Sequence, residues 1–386
     1  MLLYLHMVQR HFWLDKIKKG LQKRSVLWLS GVRRAGKTIL CQSLPEIEYF
    51  DCELPRVRRM MEDPQSFLED LRGRTMVLDE VHRLANPSEI LKIAADHYPD
   101  TKIVATGSST LGVSAKFKDT LAGRKSELWL TPMISTDLID FKQTDLKHRF
   151  IHGGLPPFFL AKTLPEREFQ EWTEAYWAKD IQELFRLERR YSFLKFTELL
   201  MVQSGGIFEA TRFARPCEVS RATISNYLAV LETTFVVHII RPFSSHRPTE
   251  IISAPKVYAF DTGFMCYYRG WHDLRNEDFG TLWEHYVLNE ILAHTQSRRV
   301  LYWRDKRGHE IDFILAKRQS EPMAIECKWS SSEFDPANIK AFRKQYPKGN
   351  NFVVAADVKR TFSHAYDDIQ VRFVGLEDLI NIITGL

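Results

Sequence analysis

The N-terminal third of the chain carries short, unbroken apolar runs: Val26-Leu27-Trp28-Leu29, then Met76-Val77-Leu78, then Ile103-Val104-Ala105. Runs without polar alternation predict strands covered on both faces, the pattern of a parallel sheet between helices. From residue 143 the spacing changes. Trp172, Tyr176, Trp177, Ile181 and Leu184 recur every three or four positions and predict a packed helical stripe. Phe193 to Val202 reads as a further helix, Gly205-Gly206 breaks it, and Phe208 to Phe213 begins another. After Pro216, Ser220 is placed to N-cap a helix to Leu231, with Ile224, Leu228 and Leu231 inward. Around Gly280 a helix, FGTLWEHYVLNEIL, precedes four apolar strands at VLYWRD, GHEIDFILA, PMAIECKWS and NFVVAADV.

What ends the first three strands carries chemistry. Gly31-Val-Arg-Arg-Ala-Gly36-Lys37-Thr38 is a full G-x-x-x-x-G-K-[ST] between a strand and a helix, the setting a phosphate loop requires. Its glycines let backbone N–H groups wrap phosphate oxygens at a helix start. Lys37 is expected at the terminal phosphates of ATP and the Thr38 hydroxyl on Mg²⁺, with Gly31, Arg34, Gly36 and Ile39 completing the nucleotide contacts. Asp79-Glu80 closes the second strand: Asp79 would hold Mg²⁺ and Glu80 polarise the attacking water. The third strand ends in Thr106-Gly107-Ser108-Ser109, where Ser108 or Ser109 is the candidate for contact with the terminal phosphate. Arg33 lies in the loop, and Arg124 in Leu121-Ala-Gly-Arg124 is the candidate arginine finger.

The C-terminal strands bring a second constellation. Asp312 lies between Ile311 and Phe313, and Glu326 and Lys328 stand two apart on the next strand, so they share a face. A carboxylate followed after a hairpin by Glu-x-Lys is the signature of the PD-(D/E)XK nuclease fold. Asp312 and Glu326 would then bind Mg²⁺ or Mn²⁺ and Lys328 would orient the attacking water or stabilise the developing charge, with Glu284 as a further metal ligand and Glu310 able to share the ion. In the middle, the helix from Ser220 followed by TTFVVHIIRPF reads as the recognition helix and wing of a winged helix. Arg221, Thr223 and Asn226 are the base-reading candidates, Arg241 and Arg247 the phosphate contacts.

Charge refines this picture only locally. The chain has 54 Lys and Arg against 49 Asp and Glu, net +5, and residues 298–350 alone hold twelve basic against seven acidic residues. Trp303, Arg304, Lys306 and Arg307 in that stretch could steer a phosphate backbone. Over 186–250 the balance is nine against six, modest for a tight nucleic-acid binder. No window approaches the ~18 apolar residues of a membrane span, and five scattered cysteines without a CxxC pair fit neither a disulfide framework nor a zinc module. A reducing cytoplasm is the expected setting.

With GVRRAGKT, VLDEVHRL, ATGSS and LAGR laid out, the chain resembles the prokaryotic AAA-type ATPases that carry a C-terminal domain of unknown function with a nuclease-like fold. Further matches are Gly153-Gly154-Leu-Pro156, Tyr176-Trp-Ala-Lys179-Asp180-Ile181, Tyr258-Ala-Phe-Asp261-Thr-Gly263, Trp283-Glu284 and Glu326-Cys-Lys328, with Lys179 standing where arginine is expected. The expected architecture is α/β: a P-loop ATPase core over 1–142, a helical lid or linker over 143–190, a winged helix over 191–250 and a restriction-endonuclease-like domain over 251–386. The expected function is ATP hydrolysis coupled to nucleic-acid binding, DNA before RNA, with metal-dependent phosphodiester cleavage. The alternative is an ATP-dependent switch or scaffold that binds without cutting. An arginine finger acting in trans implies a homo-oligomer.

Overall fold

The computed structural model describes residues 8–107, 121–182, 185, 187–244, 254–316 and 321–385. The chain forms two units, each assembled from three segments. The first comprises Met1–Leu146, Gly154–Arg190 and Ala229–Val236; the second comprises Lys147–Gly153, Tyr191–Leu228 and Val237–Leu386.

The first unit is built on five strands, β1 (Val26–Gly31), β2 (Ile47–Asp51), β3 (Thr75–Asp79), β4 (Lys102–Thr106) and β5 (Lys125–Leu130). They lie in the order β2-β3-β4-β1-β5 and every pairing is parallel. Interior strand β1, between β4 and β5, is buried along its whole length, as its unbroken apolar run requires. One face packs Trp28, Met76, Leu78 and Ile103 against Ile90, Leu91 and Ala94 of the helix Pro87–His97. Because all strands run the same way, Gly31, Asp51, Asp79 and Thr106 end at one edge of the sheet. The apolar stripe predicted for 172–181 is buried, and its neighbour Phe235 meets Trp129 of β5 edge to face at 5.6 Å.

The second unit has eight strands, β6 (Val237–Pro242), β7 (Lys256–Ala259), β8 (Leu301–Arg304), β9 (Glu310–Leu315), β10 (Met323–Lys328), β11 (Asn351–Ala355), β12 (Phe362–Tyr366) and β13 (Ile369–Val374). Their order is β12-β13-β11-β10-β9-β8-β6-β7, antiparallel from β8 to β10 and parallel from β10 through β11 to β13. The helix Asn276–Thr295 is tied to it where Trp283 Nε1 donates to the Val354 carbonyl at 3.0 Å. The helices expected over 191–231 form at Arg190–Val202, Ala210–Ala214 and Arg221–Thr233, and Ser220 Oγ accepts from Thr223 N at 3.1 Å. The strand expected as the wing is β6, and it pairs with both β7 and β8 of the large sheet. Residue 250 is therefore not a break between separate sheets.

Two glycines explain a pair of the motifs noted above. Gly153 has φ +81, and a Cβ there would meet Asp261 Oδ1 at 2.2 Å, while a Cβ on Gly263 would meet the Gly153 backbone at 2.6 Å. The close approach lets Arg149 reach Asp261 at 3.3 Å and Thr262 at 3.0 Å, all three buried.

The buried His285 has a fixed tautomer. Nδ1 donates to the Thr281 carbonyl at 2.8 Å, so Nε2 accepts from Ser204 Oγ at 2.6 Å, and that oxygen accepts from Ala259 N. Burial pushes the imidazole down to about 4. A base whose pKa falls on folding favours the native state above its unfolded pKa and loses that contribution as pH drops through the folded one. Urea unfolding should therefore show the parent losing on the order of 2 kcal/mol between pH 6.5 and 4 from this group. A His285→Gln variant should show a shallower decline; equal declines would refute the assignment.

Candidate functional site

The nucleotide site is assembled at the carboxyl edge of the first sheet. Gly31 has φ +139, and a Cβ would meet the Leu130 carbonyl oxygen at 2.4 Å, so only glycine lets the chain leave β1 beside β5. The loop closes at Gly36, φ +98, into the helix Lys37–Gln42. Lys37 is buried, its Nζ donating to the carbonyls of Gly31 at 2.9 Å and Val32 at 3.1 Å. Burial lowers its pKa, opposed by the charges of Glu80, Asp180 and Asp79.

Asp79 gathers three hydroxyls: Thr38 at 2.8 Å, Tyr49 at 2.5 Å, and Thr106. Glu80 follows in a left-handed conformation, φ 52 and ψ 44, with its N–H on Thr106 Oγ1 at 3.0 Å and its carboxylate 3.1 Å from His82 Nδ1. Such a conformation is costly for a residue with a side chain and clusters at functional positions. Burial opposes ionisation of Glu80, yet the His82 hydrogen bond and the Lys37 charge bring it down to about 2. Arg34, Gly36, Lys37, Thr38, Ile39 and Glu80 line one cavity of about 550 Å³. Arg10 and Arg33 also line it, and an apolar part of its wall is formed by Val8, Phe141, Pro156, Pro157 and Leu160.

Arg124 lies elsewhere. It precedes β5, whose first residue is in register with Val26 at the start of β1, so it stands at the sheet edge opposite the loop, where its Nε meets Asp96 at 2.7 Å. The length of β1 therefore separates it from the phosphates of its own chain. Ser108, Ser109 and Arg247 fall outside the described residues.

Three contributors escaped the sequence reading. Tyr49 carries no motif at all. Thr106 was in view as the last polar residue of its strand, yet the serines after it were preferred. Arg10, far upstream, pairs with buried Asp137 through Nε at 2.8 Å and a terminal nitrogen at 2.7 Å, while its other nitrogen donates to the Ala35 carbonyl in the loop at 2.9 Å.

In the second unit, Glu284, Asp312, Glu326 and Lys328 do converge. Lys328 Nζ is 3.0 Å from Glu326, as expected of residues sharing a face, and Asp312 accepts from Cys327 N at 2.8 Å. Burial and the neighbouring Asp312 raise Glu284 and Glu326 to about 7 each. Glu326 Oε1 is buried without a hydrogen bond. Among the described residues no three carboxylates, imidazoles or thiols are grouped as a ready-made metal cage. Lys256 of β7, buried and unforeseen, sits beside these carboxylates: its ammonium pairs with Glu310 and lies 3.8 Å from Glu284. Tyr258 donates to the same Glu284 at 2.5 Å. On the helix Arg221–Thr233, Arg221 and Asn226 are exposed and Thr223 is half-buried, while Ile224, Leu228 and Leu231 are buried as expected.

Residues 23–138, which hold this loop and all five strands, match the AAA domain family. The nucleotide core is an AAA-type P-loop ATPase domain. Beyond it, residues 143–275 match a domain of unknown function (DUF8612) and residues 279–371 another (DUF4143). Uncharacterised proteins of Mycobacterium bovis and Mycobacterium tuberculosis are each 25% identical over 339 residues, covering 84% of this chain and 75% of theirs. One from Haemophilus influenzae is 21% identical over 379 residues, covering 89% of this chain and 92% of its own. Among solved structures, a Walker-type ATPase of Pyrococcus abyssi aligns with a TM-score of 0.47 at 14% identity, over 68% of this chain and 96% of that one. AMPPCP-bound DnaA of Aquifex aeolicus aligns at 0.30 and 12%, over 59% and 89%. No helix among the described residues is long and apolar enough to cross a membrane.

Proposed function

We propose that the AAA-type domain hydrolyses ATP and that turnover is coupled to nucleic-acid binding, DNA before RNA. The observation that carries the first part is the convergence of Lys37, Thr38 and Glu80 on one cavity, with Asp79 bonded to Thr38 behind it. The apolar wall formed by Val8, Phe141, Pro156, Pro157 and Leu160 suits an adenine ring, leaving the triphosphate along the loop. Lys37 would exchange its two carbonyl partners for phosphate oxygens. Thr38 and Asp79, both oxygen donors, would hold Mg²⁺, which when bound neutralises phosphate charge. Glu80 orients a water for in-line attack on the γ-phosphorus as the bond to the ADP oxygen breaks. Arg124 acts as an arginine finger only on a neighbouring copy, which makes the working form a homo-oligomer.

Nucleic-acid binding is supported by exposed Arg221 and Asn226 near the start of their helix and by the basic excess around Asp312, Glu326 and Lys328. Metal-dependent cleavage there, with Asp312, Glu326 and Glu284 as ligands and Lys328 on the water, is the sharper form of the proposal. A specific observation favours the second reading, a nucleotide-driven switch that binds without cutting: the Lys256 ammonium already pairs with Glu310 and lies beside Glu284, one of the expected metal ligands. Single- and double-stranded DNA incubated with Mg²⁺ or Mn²⁺, with and without ATP, separates them. Scission lost in Asp312→Ala with ATP turnover intact establishes cleavage. DNA-stimulated ATP turnover without scission establishes the switch. Turnover indifferent to DNA, with no binding, refutes the coupling.

A further inference from the structure

Within the first unit, one charged pair faces the phosphate loop and has no part in the chemistry above. Arg33 Nε donates to Asp180 Oδ2 at 2.5 Å; the carboxylate is buried and the guanidinium is about a quarter exposed, lining the nucleotide cavity. Asp180 belongs to a π-helical stretch, Tyr176–Gln182, continuing from the helix Glu166–Ala175. Such stretches are rare and frequent at functional sites. The helix leading into it holds the loop a second time, because Trp172 Nε1 donates to the Arg33 carbonyl at 3.1 Å. The Trp172 ring stacks on Tyr176 with centroids 5.0 Å apart. The Tyr176 hydroxyl lies 2.6 Å from Thr234 Oγ1, which also donates to the Val230 carbonyl in the last turns of the helix Arg221–Thr233. Contacts are therefore continuous from the phosphate loop to the carboxyl end of that helix.

We propose that Arg33 and Asp180 form an in-cis sensor that distinguishes ATP from ADP. The inference rests on the nucleotide-site reading given above. A terminal phosphate and the Asp180 carboxylate are both anions and compete for one guanidinium. ATP, bearing the extra charge at the end of the loop, draws Arg33 away from Asp180, whereas ADP leaves the pair intact. A buried carboxylate that loses its cation must change its surroundings. A π-helical turn offers the means, since returning to α-helical pairing shifts the register of its hydrogen bonds. Trp172, Tyr176 and Thr234 carry that change to the end of the helix Arg221–Thr233. Asp180 is thus a positioning residue that acts through Arg33.

The test is the affinity of the full chain for Mg²⁺-ATP and Mg²⁺-ADP, together with amide hydrogen exchange over 172–182 and 229–234. Asp180→Asn removes the competitor, and preference for ATP over ADP should rise about tenfold, the scale of one partly screened charge-assisted hydrogen bond. Arg33→Gln removes the arm that reaches phosphate, and the same preference should fall about tenfold. A purely structural pair would not move the two variants in opposite directions. In the parent, ATP but not ADP should alter exchange in both segments; in either variant the two nucleotides should give the same exchange. The proposal is overturned if the parent binds ATP yet all three proteins share one ATP-to-ADP ratio, or if ADP alters exchange as ATP does. A parent that binds neither nucleotide refutes the nucleotide-site reading itself. Should Asp180→Asn fail to fold, Arg33→Gln decides alone.

Discussion

Glu80→Gln is expected to bind ATP within a few-fold of the parent while turnover falls by about a hundred- to ten-thousandfold. The backbone makes the expectation specific. Glu80 is the first residue beyond β3, turned by a left-handed conformation that its N–H on Thr106 helps to fix. With His82 and Lys37 holding it at about 2, the carboxyl is ionised throughout the physiological range and is a weak base. It therefore acts by accepting a hydrogen bond from water and aligning it, and Gln presents a wrongly distributed donor and acceptor in nearly the same volume. A second consequence has a definite sign. Because the pKa is depressed, the active form is present above it, so loss of this group's contribution should begin only well below pH 5. Phosphate release across pH, alongside nucleotide binding, reads both. Turnover of the Gln variant within threefold of the parent would remove Glu80 from the chemistry.

Arg10→Met should destabilise the protein by about 3–5 kcal/mol, the range for stripping one partner from a buried ion pair. Asp137 is fully buried and, among the described residues, would keep only the Trp13 indole N–H at 3.2 Å and the Ile134 N–H at 3.0 Å. Those two donors cannot replace a bidentate guanidinium. Urea unfolding measures the loss, and the double variant Arg10→Met/Asp137→Leu should regain a large part of it, because an apolar pair of similar volume removes the stranded charge. Nucleotide affinity should fall as well, since the bond from Arg10 to the Ala35 carbonyl anchors the phosphate loop. A single variant as stable as the parent would mean that the pair is incidental.

The sequence was most legible where chemistry is local. The phosphate loop, the Asp79-Glu80 strand end and the Glu326-x-Lys328 spacing can each be read because their residues lie within one turn or one strand. The parallel sheet followed from apolar runs that leave no solvent-facing side. What stayed hidden depends on long-range pairing. Arg10 meets Asp137, and Arg33 meets Asp180, across more than a hundred residues, and although Arg33 and Asp180 each lie in a noted motif, neither motif names the other as its partner. Lys256 is similar: it sits in an ordinary apolar strand, and only the register of β7 against β6 brings it to the acidic cluster. The wing misled for the opposite reason. Its local pattern is sound, but a strand pattern does not say which sheet the strand will join, and β6 joins the large one.

The interleaving of the two units has a bearing on how the protein is made. Trp129 of β5 is covered by Phe235, and Tyr176 is bonded to Thr234, so the ATPase unit lacks its last segment until synthesis has passed Val236. At ~5–20 residues per second, the ribosome leaves the nascent sheet with that face bare for roughly 5 to 18 seconds after Leu146 has been added. A gene fragment cut at 142 would prolong that exposed state indefinitely. It should yield insoluble protein where the full chain does not.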